Sequence, residues 1–189
     1  LFSDRMFRVP DYQRGYAWEE QQCQDFVEDL ELLSDGQEHF FGLLILHARS
    51  NGPGTVIDLK GHAHRVYDVV DGQQRLTTVV LFLDAIRREM ERFETVKTLA
   101  SGLQETYTVI QDIHGFPRPK LTLNRDTHKF FYASVLGQDD EIVEPTIRSH
   151  ELLAQASDHF DAYLDDRRRE LEESYADWLR TQYLKITQR

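Results

Sequence analysis

Residues 69–78 read Val-Val-Asp-Gly-Gln-Gln-Arg-Leu-Thr-Thr, and they join a predicted strand to a predicted helix. The segment that leads into it, residues 65–70, is rich in β-branched and aromatic side chains, which predicts a strand. From Leu76 as far as Phe93 the apolar residues recur at helical spacing, which predicts an amphipathic helix. Gly72 stands between the two elements and allows the tight turn that such a junction needs.

The start of this helix is a candidate site for a phosphate or another anion. Helix N-termini present unpaired N–H groups and the positive end of the helix dipole. Gly72 lets a ligand approach the backbone closely, Arg75 can form a bidentate contact with phosphate, and Gln73 or Gln74 can orient a water molecule or a ribose hydroxyl. A carboxylate would repel a triphosphate here unless a divalent cation bridged the two. Asp71 is therefore a candidate metal ligand or general base.

A structural interpretation of the same residues remains open. Asp71 and Gln74 are three positions apart, which is the spacing of an ordinary capping box. In that motif the Asp71 carboxylate accepts a hydrogen bond from the Gln74 N–H, and the Gln74 side chain reaches back to the start of the helix. Because such boxes are common, spacing alone favours this interpretation over the anion site.

A second cluster of polar and aromatic residues lies at positions 9–18, which read Val-Pro-Asp-Tyr-Gln-Arg-Gly-Tyr-Ala-Trp. In a functional interpretation, Arg14 contacts phosphate and one of the aromatic rings packs on a nucleobase. In the alternative, which composition favours, Tyr12, Tyr16 and Trp18 anchor the core. Arg14 then pairs with the acidic helix that follows Trp18.

The pattern along the rest of the chain predicts an α+β fold. Apolar residues at helical spacing, with acidic residues between them, predict a helix after Trp18 that ends near Asp35-Gly36. The apolar run at residues 40–46 predicts a buried strand. Further strands are predicted at residues 7–9, 55–57 and 120–123, and helices at 125–136 and from about 147 to the end, with a bend around 165–169. We therefore expect a core over residues 1–95 and a mainly helical extension of the same module over residues 96–189.

Composition limits the classes of function that this chain can have. Of its 189 residues, 40% are hydrophobic and 29% are charged, which is enough apolar surface for a globular core. No apolar run approaches the roughly 18–20 residues that span a bilayer, so we exclude a membrane protein. The net charge of −11 argues against a broad basic surface for unaided binding of DNA or RNA. Cys23 stands alone, which fits a cytoplasmic protein, and a chain that opens on Leu1 is expected to be part of a longer one.

Three further groups of residues have functional interpretations that we compare with plain structural roles. His62 and His64 have the spacing to share a metal ion, but we favour the interpretation that they are ordinary residues of a loop. Asn124 or Asp126 is expected to cap a helix rather than to touch a nucleotide. The basic run at residues 167–169 lies among acidic residues, so intrahelical ion pairs explain it.

Three motifs together resemble one protein family. Residues 9–18 and 69–78, with Phe-Phe-Gly at 40–42 between them, are similar to the DUF262 family, and the resemblance covers about residues 5–165. That family forms the N-terminal domain of GmrSD-type modification-dependent restriction enzymes and related anti-phage proteins. The resemblance implies a ParB/sulfiredoxin-like fold, with a small mixed sheet and packed helices, that binds and hydrolyses nucleoside triphosphates with Mg²⁺.

The resemblance also implies which residues form the site. The implied catalytic residues are Asp71, Gln73, Gln74 and Arg75, with Asp71 as the candidate ligand of Mg²⁺. The implied nucleotide-binding residues are Gln13, Arg14, Tyr16, Gly42, Gly72, Arg75 and Thr77. The first cluster and the strand–helix junction are thus expected to meet at one pocket.

In proteins of this family, nucleotide turnover is usually coupled to DNA cleavage by a separate C-terminal HNH (DUF1524) domain, of which this chain shows no sign. The expected partners are a nucleoside triphosphate, that nuclease domain, and modified DNA bound mainly through parts outside this chain. The C-terminal helix, with Tyr175, Trp178 and Leu179, is expected to pack on the missing domain or on a second copy in a homodimer. Two alternatives remain open: a module that senses nucleotide or modified DNA without turnover, and, ranked last, a ParB-like nuclease.

Overall fold

The structure, a computed structural model, describes residues 2–32, 42–49, 54–139, 141 and 143–187. The strands are β1 (Arg5–Arg8), β2 (Ile45–Ala48), β3 (Thr55–Ile57), β4 (Ala63–Asp71), β5 (Val109–Gln111), β6 (Pro117–Pro119) and β7 (Leu121–Thr122). The helices are α1 (Glu20–Glu31), α2 (Gln73–Met90), α3 (Lys97–Leu103), α4 (Arg125–Phe130), α5 (Arg148–Leu171) and α6 (Tyr175–Thr187). None of these helices is both long and apolar enough to cross a bilayer.

Five strands form one small mixed sheet, which confirms the α+β class. β1 pairs in parallel with β4 on one side and with β7 on the other. β2 and β3 both pair antiparallel with β4, and β5 and β6 form a separate antiparallel hairpin. Because β1 and β4 are parallel, their C-terminal ends lie at the same edge of the sheet. This topology brings the segment after Arg8 to the junction after Asp71.

Helix α2 lies at the centre of the hydrophobic core. Most of its 18 residues are buried, including Leu83 and Ile86, and a helix that is buried on nearly all sides is a core helix. The rings of Phe26 from α1, Phe82 from α2 and Phe160 from α5 pack edge to face, with centroids 5.2–5.9 Å apart. One continuous core therefore joins residues from both halves of the chain.

The C-terminal helices α5 and α6 contact Glu89, near the C-terminal end of α2. The Arg168 guanidinium lies 3.0 Å from the Glu89 carboxylate, and the Tyr175 hydroxyl donates to Glu89 at 3.4 Å. Tyr175 and Leu179 are fully buried within this chain, and the ring of Trp178 stacks on Tyr175. The apolar face that the sequence assigned to a missing domain or a second copy is thus largely covered by the chain itself.

The expected buried strand at residues 40–46 is wrong in its described part. β2 begins only at Ile45 and lies at an edge of the sheet, with the side chains of Leu43 and Ile45 67% and 52% exposed. An apolar run looks the same in a central strand and in an edge strand, because burial depends on what packs against it. Residues 40 and 41, and the expected end of the first helix near Asp35-Gly36, lie outside the described residues.

The break between the two last helices falls later than expected. α5 continues through residues 167–169, and the chain leaves it in a 3₁₀ turn at Glu172–Ser174, where Glu172 has φ +44°. The basic run forms ion pairs three residues along the helix, Arg168 with Asp165 and Arg169 with Asp166, which confirms the structural interpretation of those residues.

Candidate functional site

The junction between β4 and α2 has an open helix end. Gly72 adopts φ +90° and ψ 10°, in the left-handed region, directly before the first turn of α2. No side-chain cap is present among the residues that the structure describes, and the first N–H groups of any α-helix have no intrahelical partner. The expected capping box between Asp71 and Gln74 is therefore wrong. The Asp71 side chain is exposed and has neither a hydrogen bond nor an ion pair with any residue that the structure describes.

Two glutamine side chains of the first turn of α2 hold the segment of residues 10–18, which we call the N-loop. The Gln73 amide donates to the carbonyl oxygen of Arg14 at 2.9 Å. The Gln74 amide donates to the carbonyl of Gly15 at 3.0 Å and accepts from the N–H of Ala17 at 2.8 Å. These contacts supply hydrogen-bond partners for backbone groups of the N-loop, which pairs with no strand among the described residues. Both carboxamides are thus used to fasten the N-loop.

Further contacts fasten the N-loop from the other side. The Gln13 amide donates to the carbonyl of Val70 at 2.8 Å, and the carbonyl of Gln13 accepts from the amide of Asn124 at 2.9 Å. The Asp11 carboxylate accepts from the N–H of Arg125 at 2.9 Å, and this backbone hydrogen bond lowers the pKa of Asp11. The first cluster lies beside the junction, as the family resemblance implied, and the second half of the chain helps to place it there.

The two arginines of the site differ in what they bind. Arg14 has an exposed side chain that forms no ion pair with the described part of the protein, so the expected pairing with the acidic helix does not occur there. Arg75 donates to the carbonyl of Leu43 at 3.0 Å. A side chain at Gly42, where φ is +89°, would place its Cβ 1.5 Å from the Arg75 guanidinium. Gly42 thus lets the Arg75 guanidinium lie directly against the backbone.

The sequence that forms this site, together with the rest of the chain, matches one known family. A family model described as GmrSD restriction endonuclease, N-terminal domain, matches residues 1–187. The chain belongs to the family of GmrSD N-terminal domains. No curated protein matches it. The match covers almost the whole chain, including the N-loop, the junction and the helices that follow.

Three of the residues implied as nucleotide-binding in this GmrSD-type domain are buried, namely Tyr16, Gly72 and Thr77. The Tyr16 hydroxyl shares a hydrogen bond of 2.7 Å with the Thr78 hydroxyl, and burial raises the pKa of Tyr16. The Thr77 hydroxyl donates to the carbonyl of Gln73 at 2.8 Å within α2. Tyr12, by contrast, is 78% exposed. Of the three aromatic residues expected to anchor the core, Tyr16 and the partly buried Trp18 do so, but the expectation is wrong for the exposed Tyr12.

The space between the N-loop and α2 is small. A cavity of about 10 Å³ lies among Arg14, Gln73 and Thr77, which is room for about one water molecule. A nucleoside triphosphate cannot enter this gap while the N-loop is fastened. Gly72 and Gln73 are buried, whereas the side chains of Arg14 and Asp71 are exposed on the outer surface of the GmrSD-type domain.

Some contacts of the GmrSD-type domain were not anticipated from its sequence. Asn124 stands before α4, as a cap would, but its side chain binds the carbonyl of Gln13 and the hydroxyl of Thr127. His62 and His64 both bind Asp58, and no described group of three or more His, Cys, Asp or Glu residues is arranged to hold a metal ion. Gln13 is 111 residues from Asn124, and Asp58 lies in a loop without a recognisable motif. Neighbouring residues therefore could not predict these contacts.

Replacing Gln74 by leucine is expected to lower the free energy of unfolding by about 1–3 kcal/mol. Leucine keeps the volume but removes the donor to Gly15 and the acceptor from Ala17, so two partly buried backbone groups lose their partners. Urea denaturation measures the change, and hydrogen exchange at the Ala17 N–H is expected to become faster. The matched control is Gln24→Leu on the exposed side of α1, for which we expect a change within about 0.5 kcal/mol. Equal effects of the two variants would contradict the role assigned to Gln74.

Proposed function

We propose that this chain is the regulatory domain of a restriction or anti-phage defence protein that binds and hydrolyses nucleoside triphosphates and couples turnover to DNA cleavage by a separate nuclease domain. Its membership in the GmrSD family supports the setting. The observation that carries the proposal is the uncapped start of α2, beside which the exposed side chains of Arg14 and Asp71 have no partner among the residues that the structure describes. The N–H groups and Arg14 can bind an anion, and Asp71 can bind the cation that bridges it to the anion.

Mg²⁺ fits this donor set when the nucleotide supplies the rest of its ligands. Mg²⁺ is commonly bound through one or two carboxylates together with substrate phosphates and water, rather than in a cage made by the protein. Asp71 offers such a carboxylate, and its exposed side chain has no competing partner among the described residues. The cation would neutralise the phosphates and remove the repulsion that Asp71 alone would exert.

The residues of the site divide into contacting and positioning groups. Phosphoryl transfer depends on positioning and electrostatic stabilisation more than on a covalent nucleophile. Arg14 and Arg75 would contact the phosphates, and Asp71 would hold the metal ion or the attacking water. Gln73 and Gln74 would act through the N-loop, since their carboxamides bind its backbone.

The first experiment is calorimetric titration of this chain with GTP, ATP, CTP and UTP in the presence of Mg²⁺. At least one nucleotide is expected to bind, and Arg14→Ala is expected to weaken binding tenfold or more, because it removes a charge-assisted contact. Arg14→Ala should leave stability unchanged because the side chain is exposed and unpaired. Arg169→Ala, which removes an exposed arginine far along α5, is the control and should bind like the wild type. If no nucleotide binds, or if both variants behave alike, the site assignment is withdrawn.

A second candidate function is a sensor that binds nucleotide without turnover. It is favoured by one observation: both carboxamides that could orient a water molecule are engaged by the N-loop. Phosphate release from the full-length protein with DNA separates the two functions. Release that is abolished by Asp71→Asn supports hydrolysis, whereas saturable binding without release supports the sensor.

A further inference from the structure

A second cavity, of about 590 Å³, lies at the opposite end of β4 from the open helix end. We call it the distal cavity. Its lining includes His64 from the start of β4, Gln104 and Thr106 from a π-helical turn, and Gln111 from β5. Eight steps along β4 separate its two ends by roughly 25 Å. The distal cavity is therefore a separate site from the one proposed to bind phosphate.

The charged groups in the wall of the distal cavity are compensated within the protein. One oxygen of Asp58 accepts from the backbone N–H of Lys60 at 2.9 Å and of His62 at 2.8 Å. The other lies 3.2 Å from a ring nitrogen of His62 and 3.0 Å from one of His64. Lys60 in turn forms an ion pair with Glu105. The described residues that line the distal cavity thus offer no unpaired charge that would select an ionic ligand.

The buried side chain of Lys120 lies behind this wall and contacts His64. Lys120 is fully buried, and its ammonium donates to the carbonyl of Phe2 at 2.9 Å and to Nδ1 of His64 at 3.0 Å. Burial lowers the pKa of Lys120 to about 8, which leaves it mainly protonated at neutral pH. Since an ammonium only donates, Nδ1 of His64 must accept, and Nε2 carries the proton that it donates to Asp58. His64 thus lies between the Lys120 ammonium and the Asp58 carboxylate, with one ring nitrogen on each.

The remaining lining groups are neutral and can both donate and accept hydrogen bonds. Three carboxamides, those of Gln104, Gln111 and Gln138, face the distal cavity together with the hydroxyl-bearing Ser101 and Thr106. The contact between Gln104 and Gln138 is 3.5 Å long, at the limit of a hydrogen bond, so a ligand can replace it at little cost. Leu59, Val109 and Pro117 add an apolar part to the lining.

We propose that the distal cavity binds an uncharged nucleoside. The volume is in the range of small-molecule sites, and the compensated wall favours a neutral ligand over an ion. A carboxamide presents a donor and an acceptor side by side, which matches the edge of a nucleobase, and hydroxyl groups match the ribose. The π-helical turn that supplies Gln104 supports the assignment, because such turns are rare and frequently mark functional sites.

The test is calorimetric titration of the 189-residue chain with adenosine, guanosine, cytidine and uridine, and with glucose as a neutral polyhydroxylated comparison. At least one nucleoside is expected to bind, and Gln104→Leu is expected to weaken its binding about tenfold or more, because it removes a paired donor and acceptor. Gln111→Leu, on the exposed side of β5, is the second variant and decides the matter if Gln104→Leu does not fold. Gln24→Leu on α1 is the matched control and should not change the affinity.

Three results would overturn the proposal. One is that none of the four nucleosides binds, and another is that glucose binds as tightly as they do. The third is that Arg14→Ala abolishes nucleoside binding while Gln104→Leu and Gln111→Leu leave it intact, which would place the nucleoside at the open end of α2. The nucleoside proposal and the triphosphate proposal can each fail alone, because they use different residues and different ligands.

Discussion

Replacing Phe160 by alanine is expected to lower the free energy of unfolding by about 3–5 kcal/mol. The Phe160 ring is fully buried and packs edge to face on Phe26 and Phe82, so its removal leaves a cavity between α1, α2 and α5. Such a loss is a large share of the stability of an ordinary domain. Urea denaturation followed by circular dichroism measures it.

The same experiment tests whether the two halves of the chain fold together. Phe160 lies in the helical half, while Phe26 and Phe82 lie in the half that contains α2 and every strand of the five-stranded sheet except β7. We expect a single transition that shifts to lower urea. The control is Phe116→Ala, where the ring is 61% exposed and the change should stay within about 0.5 kcal/mol. A variant in which the helical half unfolds first, while the sheet remains folded, would contradict the shared core.

Replacing Gly72 by alanine is expected to lower the free energy of unfolding by about 2–4 kcal/mol. Two effects add at this position. The backbone is left-handed, with φ +90°, which an alanine adopts only at a cost. The new Cβ would also lie 2.4 Å from a methyl carbon of Leu44 and 3.0 Å from the carbonyl of Leu43, so the segment before β2 must move.

Two other glycines separate those effects. Gly115 has φ +79° but nothing within 4 Å of an added Cβ, so Gly115→Ala is expected to cost about 1–2 kcal/mol from the backbone alone. Gly102 lies in α3 with open space and no left-handed strain, so Gly102→Ala is expected to be neutral or to stabilise by up to about 1 kcal/mol. If Gly72→Ala costs no more than Gly115→Ala, the contact with Leu44 is not a constraint.

The parts of the fold that could be predicted from the sequence are those encoded over a few neighbouring residues. β4 and α2 follow from a β-branched run and from an apolar pattern of helical period, and both occur where expected. The apolar run at residues 40–46 gave a wrong prediction of burial, because the local pattern does not show which strands lie beside it. The hairpin of β5 and β6 was missed, since Pro117 and Pro119 look like breakers and only pairing with β5 makes the segment a strand.

The site shows the same division. Its residue types, its helix end and its family could all be inferred from the linear motifs, and the match over residues 1–187 confirms the family. The sequence could not show whether Gln73 and Gln74 cap their own helix, orient a water molecule or bind another part of the chain. Their partners in the N-loop are 57–59 residues away, and the partner of Asn124 in the same loop is 111 residues away.

By itself, then, the sequence determined the α+β class, the strand–helix junction and the family, because each depends on neighbouring residues. The three-dimensional arrangement was needed to show that Arg14 and Asp71 have no partner within the described ranges, that Tyr16 belongs to the core, and that Gly42 makes room for Arg75. It alone brought Asp58, His64 and Lys120 together behind the distal cavity. The physical reason is that a polar side chain binds whichever group the fold places within about 3 Å of it, and that group is seldom a neighbour in the chain.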